Sequence, residues 1–160
     1  MDRIDFAILR HLQNDGRLPN KSLAARVGLA ASSCFERVRQ LRQRGIIRGV
    51  HAEVDPAALG IGLEAMYLVT LNKHSRATLQ EFQQAMQALK EVRAVFLVTG
   101  RFDYMLHVAV RDTAHLRDLA LDEINRRPEV TGIETVLIFE HSRNFVLPDL
   151  TDDPATPAAR

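Results

Sequence analysis

Residues 20–49 read NKSLAARVGLAASSCFERVRQLRQRGIIRG, and the spacing inside this run decides the architecture of the first third of the chain. Ala31 to Arg44 predicts one helix. At 3.6 residues per turn, Cys34, Val38 and Leu41 share a stripe, the i, i+4, i+7 seam of a core-facing helix. The opposite surface carries Ser32, Ser33, Glu36, Arg37, Arg39, Gln40 and Gln43. Hydroxyl, amide and guanidinium groups are those that address base edges and phosphates. A shorter helix, Lys21 to Arg26, precedes it, with Asn20 as its cap and Leu23 and Val27 facing inward. Gly28 supplies the tight turn between the two, and Gly45 takes the left-handed position that ends the second. The pattern predicts a helix-turn-helix whose second helix enters the major groove of double-stranded DNA.

Upstream, Asp2 caps a predicted helix from Arg3 to Asn14, with Asp5 adding negative charge in its first turn. Ile4, Ile8 and Leu12 line one face, Phe6 and Leu9 widen it, and Gly16 ends it. Downstream, IIRGVHAEVDP turns strand-like through Ile46, Ile47, Val50, Ala52 and Val54. A strand pair or wing beside the second helix is the simplest reading, with Arg48 near the phosphate backbone. Residues 1–50 therefore predict a winged helix-turn-helix domain. Charge agrees: this segment holds ten basic and four acidic residues, a net of +6, whereas the remainder holds 11 basic and 16 acidic, a net of −5. A basic first third on a mildly acidic body points to an anionic polymer as partner of the first third alone.

Residues 51–62, rich in turn formers from Asp55-Pro56 to Gly60 and Gly62, form a linker or hinge strand. From residue 63 to residue 142 the rhythm changes. Leu63 to Leu71 reads as a buried strand. Arg76 to Lys90 follows as an amphipathic helix with Ser75 as cap, burying Leu79, Phe82, Met86 and Leu89. Val92 to Thr99 is a second strand, ended by Gly100. In the third, Tyr104, Leu106, Val108 and Val110 alternate with Met105, His107 and Ala109. A second helix, capped by Asp112 or Thr113, presents Leu116, Leu119, Ala120 and Ile124, and Val130 to Phe139 makes a fourth strand. This βαββαβ order is the ferredoxin-like arrangement, so the fold class is α+β. One sheet face then lacks a cover, and apolar residues on both parities predict its burial against another subunit. Residues 148–160, PDLTDDPATPAAR, read as a disordered acidic tail.

Several functions are excluded or disfavoured. There is no run of about 18 apolar residues for a membrane span, and the charged N-terminal stretch is not a signal peptide. The single cysteine, Cys34, forms no internal disulfide, which fits a cytoplasmic protein, and its place on the core stripe makes it a packed thiol. Six histidines are scattered without metal-ligand spacing. His107 reads either as a hydrogen-bonded core or interface histidine or as a pocket residue. Gly100-Arg101-Phe102-Asp103 lacks the further glycines and lysine of a phosphate loop. Asp103 is either a turn residue or a carboxylate suited to holding an α-ammonium group. With no nucleophile–base pair, metal cluster or cofactor loop, the chain does not read as an enzyme.

Four segments together resemble the Lrp/AsnC (leucine-responsive, feast/famine) family of transcriptional regulators. They are DRIDFAILRHLQNDGR, LAARVGLAASSCFERVRQLRQRGIIRG, DPAALG, and LVTGRFDY with its partner strand ETVLIFE. The resemblance implies a winged helix-turn-helix followed by a ferredoxin-like (RAM/ACT-like) domain for oligomerisation and amino-acid binding, in homodimers that assemble further, often to octamers. It places DNA contacts at Lys21, Ser32, Ser33, Arg37, Arg39, Gln40 and Arg48. The implied effector pocket lies between subunits, at Gly100, Arg101, Phe102, Asp103 and Tyr104 together with Thr135, Val136 and Leu137 of the last strand; no cofactor is implied beyond an amino-acid effector. Two departures stand out. Ala30 and Ala31 replace the family's usual serine and proline at the start of the recognition helix, so that helix is expected to begin later, capped by Ser32. Arg101 replaces an acidic or small residue, which alters the effector's charge preference. The expected function is a sequence-specific, amino-acid-responsive transcriptional regulator. The alternative is a ligand-independent architectural protein that wraps DNA by shape.

Overall fold

The computed structural model describes residues 1–72 and 75–151. The expected tail therefore lies mostly outside the described residues, as does His74. The chain forms two units: residues 1–53 with the described residues from Ser142 onward, and Val54–His141.

In the first unit, α1 (Arg3–Asn14), α2 (Asn20–Val27) and α3 (Ala31–Gln43) close around Ile8, Leu23, Ala24, Cys34 and Leu41. Asp2 caps α1 through the backbone N–H groups of Ile4 and Asp5, and the Asp5 carboxylate accepts from the Asp2 N–H, completing a capping box. Gly28 ends α2 at φ 69°, a left-handed conformation that a glycine adopts without strain. At the end of α3 the Ile46 N–H reaches the Leu41 carbonyl and the Gly45 N–H the Arg42 carbonyl, a Schellman closure.

Three expectations need correction here. Asn20 is not the cap of α2: Pro19 holds that position, and Asn20 lies in the first turn with its side-chain amide donating to the Ala31 carbonyl at 2.7 Å. That bond links the starts of the two helices, a use the local sequence does not reveal. Helix α3 begins at Ala31, as the spacing predicts, and Ser32 is not its cap: Ala30 holds that position and makes no side-chain bond. The hydrophobic stripe and the neighbouring helix hold the first turn without one. Finally, residues 46–54 form no strand, so the wing is absent as a β-element among the described residues. A strand requires a partner for its N–H and C=O groups, and this stretch has none within its unit. Val50 instead sets a methyl group 2.7 Å from where a Cβ on Gly16 would stand.

The second unit carries β1 (Leu63–Leu71), α4 (Arg76–Ala88), β2 (Val92–Leu97), β3 (Tyr104–Val110), α5 (Thr113–Leu119) running into a π turn (Ala120–Ile124), and β4 (Val130–Ile138). The strands form one antiparallel sheet in the order β2-β3-β1-β4, the ferredoxin-like topology. Period-two alternation directs Ala65, Tyr67, Val69 and Leu71 of β1, and Tyr104, Leu106, Val108 and Val110 of β3, to one face. There they meet Phe82 and Met86 of α4 and Leu116, Leu119 and Ile124 of α5 and the π turn. Each such large side chain, fully buried, stabilises the unit by roughly 1.5–3 kcal/mol. Two tyrosine hydroxyls are satisfied by helix carbonyls: Tyr67 donates to Leu116, and Tyr104 to Leu79 at 2.8 Å. Ser75 caps α4 and Asp112 caps α5. The opposite face carries the rows Phe96–Met105–Leu68–Glu134 and Ala94–His107–Met66–Val136, and among the described residues no helix of the unit is packed over them.

Candidate functional site

On α3, residues that share the Cys34–Leu41 stripe point into the core, so the opposite arc presents Ser32, Glu36, Arg39, Gln40 and Gln43 to solvent. Arg39 and Glu36 form a forked pair: Nε donates to Oε2 at 2.9 Å and Nη2 to Oε1 at 2.6 Å. The guanidinium holds the Glu36 carboxyl below its ordinary value, and the carboxylate in turn raises Arg39. Gln40 lies 3.4 Å from the same carboxylate. Ser32, Ser33, Lys21 and Arg48 are all exposed.

Arg37 behaves differently. Its Nη1 donates to Asp2 at 2.7 Å and to Asp5 at 2.8 Å, tying the middle of α3 to the start of α1. Hydrogen bonding by the two carboxylates raises its pKa further, and Asp2 is lowered, first by the Asp5 backbone N–H and then by Arg37. The sequence showed Arg37 on the polar side of a helix; the contact over more than 30 residues that occupies it carries no local signal. Beside α3 opens a groove of about 340 Å³ between Leu12, Leu18, Leu23, Phe35 and Val38, rimmed by Arg39 and Arg42. Cys34 has no exposure, and burial pushes its thiol up, as a packed side chain requires.

In the second unit, the β2–β3 turn passes through Gly100 at φ 116°, again in the region that favours glycine. Asp103 lashes this turn to β1: its N–H donates to the Val69 carbonyl at 2.9 Å, and its carboxylate accepts from the Leu71 N–H at 2.7 Å. The Arg101 guanidinium lies over the Phe102 ring, 5.0 Å from its centroid, and pairs with Glu134 of β4. The turn and the last strand thus meet on the uncovered sheet face, because Glu134 ends the row that begins at Phe96. Glu134 was not among the expected site residues; it pairs across 33 positions of sequence.

The remaining expected residues are dispersed. Tyr104 is fully buried against Phe82, ring centroids 4.9 Å apart, on the helix-covered side. Thr135 and Leu137 share the parity of Tyr67 and Ala65 but remain exposed because β4 is an edge strand; Val136 shares the uncovered face. His107 is half-buried on that same face, its Nε2 2.6 Å from Glu64. Among the described residues no three His, Cys, Asp or Glu side chains converge to hold a metal ion, and no helix is long and apolar enough to cross a membrane.

The Lrp/AsnC ligand-binding domain model matches residues 64–144, and a winged helix-turn-helix DNA-binding model matches residues 1–48. The chain belongs to the Lrp/AsnC family of transcriptional regulators. It is 43% identical to the regulator AldR of Mycolicibacterium smegmatis, covering 89% of this chain and 84% of that protein. It is 39% identical to the leucine-responsive regulatory protein of Escherichia coli, covering 88% and 85%. Among solved structures, a Neisseria meningitidis transcriptional regulator in complex with L-Met superposes with a TM-score of 0.86 at 29% identity, over 94% of this chain and 97% of that one. The two matched models divide this Lrp/AsnC chain between a basic helical unit and a sheet unit.

Proposed function

We propose that this regulator binds DNA through the outward arc of α3 and that a small amino acid, taken up at the β2–β3 turn and β4, alters its DNA binding or assembly. The observation that carries the first part is the set of exposed hydroxyl, amide and guanidinium groups on one helix face in a unit of net charge +6 over residues 1–50. Ser32, Ser33, Arg39 and Gln40 form the reading set, with Lys21 and Arg48 on phosphates. Arg37, held by Asp2 and Asp5, acts by keeping α3 seated on α1.

For the second part, Arg101 and Glu134 supply the two charges a zwitterion needs, a guanidinium for the α-carboxylate and a carboxylate for the α-ammonium. Their mutual pair is exposed, and such pairs exchange partners at little cost. The L-Met complex of the Neisseria relative supports an amino acid as the effector. A second copy of the chain is the natural cover for the Phe96–Met105–Leu68 face, which makes the effector site shared and couples ligand to assembly. Calorimetric titration with the twenty amino acids tests this: saturable heat from at least one, lost in Arg101→Ala, is expected, and no heat from any overturns the effector assignment.

A further inference from the structure

Glu36 occupies the centre of the α3 face that the proposed function assigns to DNA. It lies roughly 200° round the helix from Cys34 at 100° per residue, flanked by Arg39 and Gln40. A carboxylate there repels phosphates, so a face built for affinity alone would not carry one. Its geometry is informative. Both Glu36 oxygens accept from the Nε/Nη2 edge of Arg39, which locks the guanidinium plane and leaves its Nη1/Nη2 edge free. The free edge matches the paired acceptors of guanine, O6 and N7, and a carboxylate oxygen matches the cytosine N4 donor that lies beside O6 in the same base pair.

We infer that Glu36 is a specificity-determining residue of this regulator, holding Arg39 by one edge and reading a C·G base pair jointly with it. This rests on α3 being the DNA-reading helix. Glu36 accepts from cytosine N4 while Arg39 donates to guanine. Guanine or thymine in the cytosine's place sets a carbonyl acceptor against the carboxylate, and adenine there brings a thymine whose methyl group and single O4 replace the two acceptors that Arg39 requires, so discrimination comes from rejecting wrong bases as well as from binding the right one. Gln40, 3.4 Å from the carboxylate, steadies it from the next turn.

Selection of binding sites from a randomised DNA library by the full-length wild type, Glu36→Gln and Arg39→Lys decides the matter. Wild type is expected to enrich a motif with a C·G pair facing the middle of α3, preferred roughly ten- to hundredfold. Both variants should keep the rest of the motif and lose that preference to about threefold or less. Glu36→Gln should also bind unrelated DNA more tightly, with a salt slope steeper by about one. A Glu36→Gln protein that still selects the same C·G pair overturns the inference. A wild type that enriches no motif overturns the sequence-specific reading beneath it. Should Glu36→Gln lower the unfolding midpoint, Arg39→Lys, which keeps both charges and loses only the planar fork, decides by the same criterion.

Discussion

The two units reach stability by different means. In the sheet unit Tyr67, Phe82, Met86, Tyr104 and Leu106 stack between a sheet and two helices, and the hydrogen bonds inside that core only satisfy hydroxyls. The helical unit buries Ile8, Leu23, Ala24, Cys34 and Leu41 among smaller neighbours, and adds polar ties at its rim: Asp2 and Asp5 on Arg37, and Asn20 on Ala31. A small core limits the hydrophobic contribution, so capping and ion pairs weigh more there. One unit is thus most sensitive to lost volume, and the other to lost charge.

The largest effect should come from volume. Phe82→Ala removes a ring with no solvent exposure that packs on Tyr104, and is expected to cost about 3–5 kcal/mol in urea unfolding of the sheet unit while the helical unit's transition stays in place. Equal loss in both transitions would mean that the units do not hold themselves together separately. Next is Asp5→Ala, which breaks the capping box and one of the two carboxylate contacts of Arg37. It is expected to cost about 1–2 kcal/mol, confined to the helical unit.

Acid should act more gently, on the start of one helix in each unit. The Asp2 carboxyl is lowered from 3.8, so its stabilisation is present above that value and is lost as pH falls through the folded-state value below it. Circular dichroism between about pH 5 and about pH 2 should show α1 weakening in that lower window, and Asp2→Ala should remove this part of the transition. Asp112, lowered by the His115 backbone N–H, does the same for α5. The smallest stability effect belongs to Arg101→Ala: within about 0.5 kcal/mol, because its pair with Glu134 is exposed, yet with a large loss of amino-acid response.

Sequence periodicity made most of this fold legible, because each helix buries one stripe and each strand alternates. The turn glycines and the Asp2 cap were equally clear, since both are short-range devices. What could not be seen is what depends on distant partners. Asn20 bonds Ala31 instead of capping its own helix, and residues 46–54 stay coil because no strand of the unit pairs with them. Arg37 lies on the polar arc of α3, and no local signal shows that the Asp2 and Asp5 carboxylates at the start of α1 hold it. At the β2–β3 turn the family resemblance indicated Tyr104 among the pocket residues. Strand alternation turns that ring into the core, and the cross-strand partner of Arg101 is Glu134, one residue before the stretch the sequence indicated.

Fluorescence anisotropy decides whether an amino acid controls how the α3 face engages DNA. The full-length protein would be titrated onto its own promoter and onto random DNA, across a salt series, with and without each of the twenty amino acids. Preference for the promoter, affinity that falls steeply with salt, and a shift of the binding midpoint by at least one amino acid are expected. Equal binding to both DNAs, unmoved by any of the twenty, would contradict such control.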